Sequence, residues 1–213
     1  MRPACGPLAD RLREAPARGT TPFVVDLLLA SASPRRAKLL RDAGIEIEVA
    51  PVACDETAHP GEVATVYARR IAAAKLAAAP ARDVPVLAAD TVVWCAHPPD
   101  PLGKPTDRED ARAMLTTLAS VGAHRVTTAF ALRAPGGGIV EHSVTTAVWF
   151  RPLTAAEIDA YLDTNEWTDK AGAYGIQGHA AGLVARIEGS YTNVVGLPVA
   201  EVVEAVRRMR EAR

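Results

Sequence analysis

Arg35 and Arg36 stand where a helix ordinarily carries acids. In Leu27-Leu28-Leu29-Ala30-Ser31-Ala32-Ser33-Pro34-Arg35-Arg36-Ala37-Lys38-Leu39-Leu40-Arg41-Asp42-Ala43-Gly44, an apolar run of strand length gives way to a serine N-cap and a proline suited to the first helical position, and Gly44 supplies the stop. The positive end of a helix disfavours nearby cations by roughly 0.3 to 1 kcal/mol each. An anionic ligand relieves that cost. The free amides, the two guanidiniums and the hydroxyls of Ser31 and Ser33, all at the carboxyl end of a strand, read as a phosphate receptor. The competing reading is a surface arginine pair bound to neighbouring carboxylates.

Acids and further cations follow. Asp90 comes after the short apolar strand Val84 to Ala88, in Ala89-Asp90-Thr91, where a fixed backbone can aim a carboxylate into a cleft; it is the leading acid or base. A turn aspartate bonding its own backbone is the alternative. Glu56 lies in Cys54-Asp55-Glu56-Thr57, where adjacent acids suit either a hard divalent cation or plain solvation. Lys75 falls four residues after Ile71 and eight after Tyr67, on the apolar side of a predicted helix, so its ammonium either snorkels to the surface or enters the cleft. Lys104, in Gly103-Lys104-Pro105, can neutralise a second phosphate or serve as an ordinary loop lysine. Lys170 adds a third cation in a glycine-punctuated stretch, and the Gln177 amide there, donor and acceptor at once, can read a base edge or simply pin the loop.

The elements that must position these residues alternate strand and helix, which indicates an α/β fold. Residues 1–22, rich in Pro, Arg, Gly and Ala, read as a loose extension, with a single domain over 23–213 and a first strand from about Phe23 or Val24. Helices are expected over about Gly61 to Ala79, from the capping-box spacing at Thr106 to about Ala119, from that at Thr154 to about Asp163, and from Pro198 through about Met209. His124 to Arg133 and Ile139 to Phe150 form a hairpin across Pro135-Gly136-Gly137-Gly138, so the sheet is mixed.

Composition narrows the function. With 213 residues, 49% of them hydrophobic, the chain can bury a substantial core. A formal net charge of -1 gives no support to a nucleic-acid binder, and no apolar stretch approaches the roughly 20 residues needed to span a bilayer. Cys5, Cys54 and Cys95 lack disulfide or zinc spacing, which suits a reducing cytoplasm. The chain has no phosphate-binding P-loop, no dinucleotide fingerprint and no serine-hydrolase elbow, and its five histidines are dispersed.

At Ser31-Ala32-Ser33-Pro34-Arg35-Arg36 the sequence resembles the Maf-like family of nucleoside triphosphate pyrophosphatases. The likeness continues in order through Asp55-Glu56-Thr57, Lys75, Ala89-Asp90-Thr91, Gly103-Lys104-Pro105, the run Asp169 to Gly178, and Gly189-Ser190-Tyr191-Thr192-Asn193-Val194-Val195-Gly196-Leu197-Pro198. It implies a Maf/ITPase-like fold with an elongated central mixed sheet, flanking helices and a cleft between two lobes, often as a homodimer. It further implies hydrolysis of a nucleoside triphosphate to the monophosphate and pyrophosphate with magnesium or manganese, Asp90 accepting the proton of water. By the same resemblance Ser31, Arg36, Glu56, Lys75, Lys104 and Lys170 form the phosphate and metal environment, with Glu56 and Asp90 as metal ligands. Arg35, Thr91 and Gln177 match the dTTP/UTP subgroup, a nucleotide-pool house-cleaning role that extends to modified pyrimidine nucleotides. Relatives directed to 7-methyl-GTP carry a bulky aromatic in place of Arg35; these or purine-directed enzymes are one alternative, and a nucleotide-binding regulator of septum formation is another. Ala123 departs from the threonine common there.

Overall fold

The computed structural model describes residues 26–211. The expected extension over 1–22, the strand start near Phe23 and Cys5 lie outside the described residues. The strands are β1 (Leu27–Leu29), β2 (Ile47–Val49), β3 (Val86–Trp94), β4 (Pro101–Leu102), β5 (His124–Arg133), β6 (Ile139–Phe150) and β7 (Val184–Glu188). The helices are α1 (Pro34–Asp42), α2 (Ala64–Ala78), α3 (Arg108–Ser120), α4 (Ala155–Asp163), α5 (Tyr191–Val195) and α6 (Val199–Glu211). Six strands follow the order β2-β1-β3-β5-β6-β7, and β4 pairs with β3. The first three strands of that order are parallel, and every pairing beyond β3 is antiparallel. The expected mixed sheet with flanking helices is therefore the observed architecture.

Successive strand residues face opposite sides of a sheet, and β3 uses that period to serve two helical layers. Val86, Ala88 and Val92 pack with Leu76, Ala68 and Ala72 of α2. Leu87 and Ala89 pack on the opposite face with Ala37 and Leu40 of α1 and Val202 of α6. Beyond them, Val93, Val126 and Val148 meet α3 and α4 through Leu115, Leu118, Ile158 and Leu162. Burying these apolar faces contributes roughly 25 cal/mol per Å² and fixes the strand register.

Three expected boundaries shift. The strand read over Val84 to Ala88 runs on through Asp90 to Trp94, because Thr91, Val92, Val93 and Trp94 continue the β-branched and aromatic pattern. Asp90 thus sits inside a strand, opposite Ala129 of β5, rather than at the strand's end. The second helix begins at Ala64, not Gly61, and stops before Pro80. At α3 the cap is Asp107, whose carboxylate accepts from the Asp110 amide at 2.9 Å, while Asp110 reaches back to the Thr106 amide at 2.9 Å. An ionised carboxylate makes the stronger cap, so the cap moves one residue on from the Thr106 reading and no reciprocal box forms there. The Thr154 box forms as expected, with Glu157.

Candidate active site

Because β3 alternates, Asp90 and its neighbour Thr91 reach different helices. Asp90 faces α2, where Lys75 Nζ lies 2.8 Å from its Oδ1. Lys75 is 9% exposed and Asp90 6%, so this is a buried ion pair with its partners in contact. Of the two readings of Lys75, the structure shows the inward one. Its ammonium also lies 2.9 Å from Glu56 Oε1, which makes it a bridge between two carboxylates.

Glu56 belongs to an exposed loop that α2 holds in place. The Tyr67 hydroxyl donates to the Glu56 carbonyl at 2.9 Å, and Arg70, paired with Glu62, donates to the Thr57 carbonyl at 3.0 Å. Burial and the nearby Asp90 and Glu56 charges push the Tyr67 phenol up to about 12, so it remains a donor. Asp55 turns away from Lys75. Its carboxylate accepts from the Thr57 amide at 2.9 Å, closing a turn that leaves Glu56 alone of the adjacent acids toward the site.

On the other face, Arg36 leaves the first turn of α1 and is 8% exposed. Ser33 caps that helix as expected, accepting from the Arg36 amide. The Arg36 guanidinium donates from Nε to the Gly196 carbonyl at 2.8 Å, from Nη1 to Ser31 at 3.1 Å and from Nη2 to Thr91 at 3.0 Å. Burial lowers its pKa and Asp90 opposes that shift. A guanidinium has five N–H donors, so these three bonds fix its plane and leave the remaining donors for an anion. The reading as a surface pair bound to carboxylates does not apply to Arg36, whose partners are two hydroxyls and a carbonyl.

Ser31, Arg36, Glu56, Lys75, Asp90 and Thr91 line one cavity of about 900 Å³. Arg35, Lys104, Lys170 and Gln177 line the same cavity at its rim. Every site residue expected from the sequence therefore borders this cavity. Lys104 is paired with exposed Asp169 at 3.1 Å, and Lys170 donates to the Thr168 carbonyl at 3.3 Å. Burial, then the Arg35 charge, lowers the Lys170 pKa, which marks a place where cations crowd. Lys104 likewise holds the Asp169 carboxyl below its ordinary value.

The rim loop is pinned from beneath. Gly172 has φ of 66° and its amide donates to the Gly103 carbonyl at 3.0 Å. A Cβ there would come within 2.9 Å of Val93 Cγ1, so only glycine lets this turn rest on β3. Tyr174 is bonded to His124 Nε2 at 2.7 Å, both side chains being buried against Phe150. Glu166, which composition gave no reason to single out, also lines the cavity. Its carboxylate bonds the His179 amide at 2.9 Å and His179 Nδ1 at 2.6 Å.

The model for the family described as Maf-like protein matches residues 26–209. The chain belongs to the Maf family. A curated dTTP/UTP pyrophosphatase from Anaeromyxobacter sp. (strain Fw109-5) is 48% identical over 186 residues, covering 85% of this chain and 88% of that protein. Another, from Geobacter sulfurreducens, is 47% identical over 186 residues, covering 86% and 96%. The solved Ham1 protein of Staphylococcus aureus is a distant likeness, with 15% identity, a TM-score of 0.44 and coverage of 59% of this chain and 72% of that one. In this chain the ordered motifs from Ser31 to Pro198 supply residues that line this cavity or pack behind it.

Proposed function

We propose that the protein hydrolyses dTTP and UTP to the nucleoside monophosphate and pyrophosphate. The single observation that carries this reading is the buried Asp90 carboxylate, held by Lys75 at 2.8 Å on the wall of a cavity into which four further cations, Arg35, Arg36, Lys104 and Lys170, open. Phosphoryl transfer needs charge neutralisation and positioning more than a covalent nucleophile. Arg36 and Ser31, fixed to one another, take the polyphosphate at the wall; Lys104, Lys170 and Arg35 gather the remaining charge at the rim. Asp90 accepts a proton from water as its oxygen bonds the α-phosphorus and the bond to the bridging oxygen of the β-phosphate breaks. The Lys75 ammonium, 2.8 Å from Oδ1, holds the Asp90 carboxylate in place. Gln177, exposed at the rim, offers the donor and acceptor pair that complements the N3–H and O4 of uracil or thymine.

The residues present also fit a divalent cation. Glu56 and Asp90 both come within reach of one lysine nitrogen, and two carboxylates completed by substrate phosphate oxygens and water are a donor set that magnesium or manganese accepts. Among the described residues no group of three or more His, Cys, Asp or Glu gathers that could hold a metal ion without further ligands. Such an ion supplies Lewis-acid polarisation of the phosphoryl oxygen.

The test is pyrophosphate release with magnesium from dTTP, UTP, CTP, 7-methyl-GTP and ITP, run in ¹⁸O-water. Turnover of dTTP and UTP with label in the monophosphate supports the reading; label in pyrophosphate, or preference for 7-methyl-GTP or ITP, overturns it. Binding without turnover favours the regulator of septum formation. We further propose a homodimer in the cytoplasm, the first part checked by light scattering on the eluting protein. No helix among the described residues is long and apolar enough to cross a membrane.

A further inference from the structure

Asn193 is fully buried in α5 and stands behind the cavity wall rather than on it. Its amide nitrogen donates to the Val126 carbonyl and to Thr146 Oγ1, each at 2.9 Å, and its Oδ1 accepts the Thr128 amide at 3.1 Å. The Asn193 backbone carbonyl accepts the Thr128 hydroxyl at 3.0 Å. A hydroxyl has one proton, so Thr128 Oγ1 can only accept in its 2.9 Å contact with Thr91 Oγ1. Thr91 donates there and therefore accepts at 3.0 Å from Arg36 Nη2. Its other acceptor within reach, the Gly196 carbonyl at 3.3 Å, is the group that also accepts Arg36 Nε. Both positions available to the Thr91 proton belong to protein acceptors.

We propose that Asn193 is a positioning residue for Arg36, acting through Thr128 and Thr91. Protons along the series run from Arg36 through Thr91 and Thr128 to the Asn193 backbone carbonyl, so each link needs the one behind it as acceptor, and the Asn193 side chain fixes where that last acceptor stands. Asn193 ties that series to β5 and β6, and Gly196 closes it at the next turn of chain. The plane of Arg36, and hence the direction of its free donors, is thereby referenced to the rigid sheet. This inference rests on the cavity being a polyphosphate site.

The experiment uses Thr128→Val, close to isosteric and lacking only the hydroxyl, with Thr128→Ser as the conservative variant. KM for dTTP is expected to rise about fivefold in Thr128→Val, the effect of one hydrogen bond, with kcat within about twofold. The Kd for inorganic pyrophosphate moves in parallel, and Thr128→Ser stays near wild type. In an Arg36→Lys background, which lacks the planar fork, Thr128→Val adds nothing further. Asn193→Ala keeps the backbone acceptor but loses its anchor, and shifts KM and Kd in the same direction by less than Thr128→Val; if it fails to fold, the Thr128 series decides alone. Full additivity with Arg36→Lys, unchanged KM and Kd in Thr128→Val, or failure of Thr128→Ser to retain wild-type values overturns the proposal. Absence of dTTP turnover in the wild type overturns the proposed reaction instead, while the pyrophosphate Kd series still reads the role of Asn193.

Discussion

The cavity's wall and its rim carry like charges in unlike settings. At the wall, Arg36 and Lys75 are buried, and each bonds several groups from separate elements. At the rim, Lys104 is 60% exposed and its partner Asp169 81%. A buried cation with fixed donors cannot be moved without leaving a desolvated charge, whereas an exposed one is screened by water and salt. The wall therefore suits the reacting phosphate, where small displacements matter to rate. The exposed Lys104 suits capture of a flexible polyanion, where charge matters more than exact geometry.

That contrast can be broken or sharpened by experiment. The largest effect is expected from Asp90→Asn, which removes the proton acceptor while keeping shape: kcat falls by about 10³ with KM little changed, and a variant near wild type in steady-state assays would remove Asp90 from the reaction. Next comes an acid effect on the rim's footing. Burial pulls the His124 imidazole down to about 4 from an ordinary 6.5. The unfolded chain consequently takes up this proton first as pH falls. Stability is whole above about pH 6.5 and declines toward pH 4 by on the order of 3 kcal/mol, and urea midpoints across that range should flatten in His124→Gln. A steep decline persisting in the variant would assign the acid sensitivity elsewhere.

Arg36→Ala should follow, raising KM for dTTP by about 30-fold through loss of a buried, charge-assisted contact, an increase that persists in 0.5 M salt as about the same ratio. Lys104→Ala is expected to be smallest, at about threefold in KM, and to vanish at the same ionic strength. If Lys104→Ala proved salt-insensitive or rivalled Arg36→Ala, the distinction between a fixed wall and a screened rim would not hold.

Local rules read much of this molecule. The serine cap and proline before Arg35 placed two cations at a helix start, and the apolar spacing from Tyr67 through Ile71 put Lys75 on the inner side of α2. Other features were illegible for identifiable reasons. The β-branched and aromatic residues after Asp90 carry the strand signal onward, but the carboxylate itself reads as a break, because its place inside a strand depends on Lys75, 15 residues earlier in the chain. Asp55 and Glu56 are equivalent in sequence, and only the turn closed at Thr57 separates the one that caps from the one that faces the site. The family motif included Asn193, yet its bonds reach Val126, Thr128 and Thr146, between 47 and 67 residues away, and no periodicity encodes such partners. Glu166 entered the cavity through the loop's fold alone.

The seat of Gly172 on Val93 has a consequence for precision. Asp90 and Val93 belong to one strand, so the loop that presents Lys170 and Gln177 is measured from the same ruler as the carboxylate. Bending or sliding of β3 carries both together and cancels in their separation. A loop anchored to any other strand would add that strand's motion as error; this one shares its origin with the chemistry.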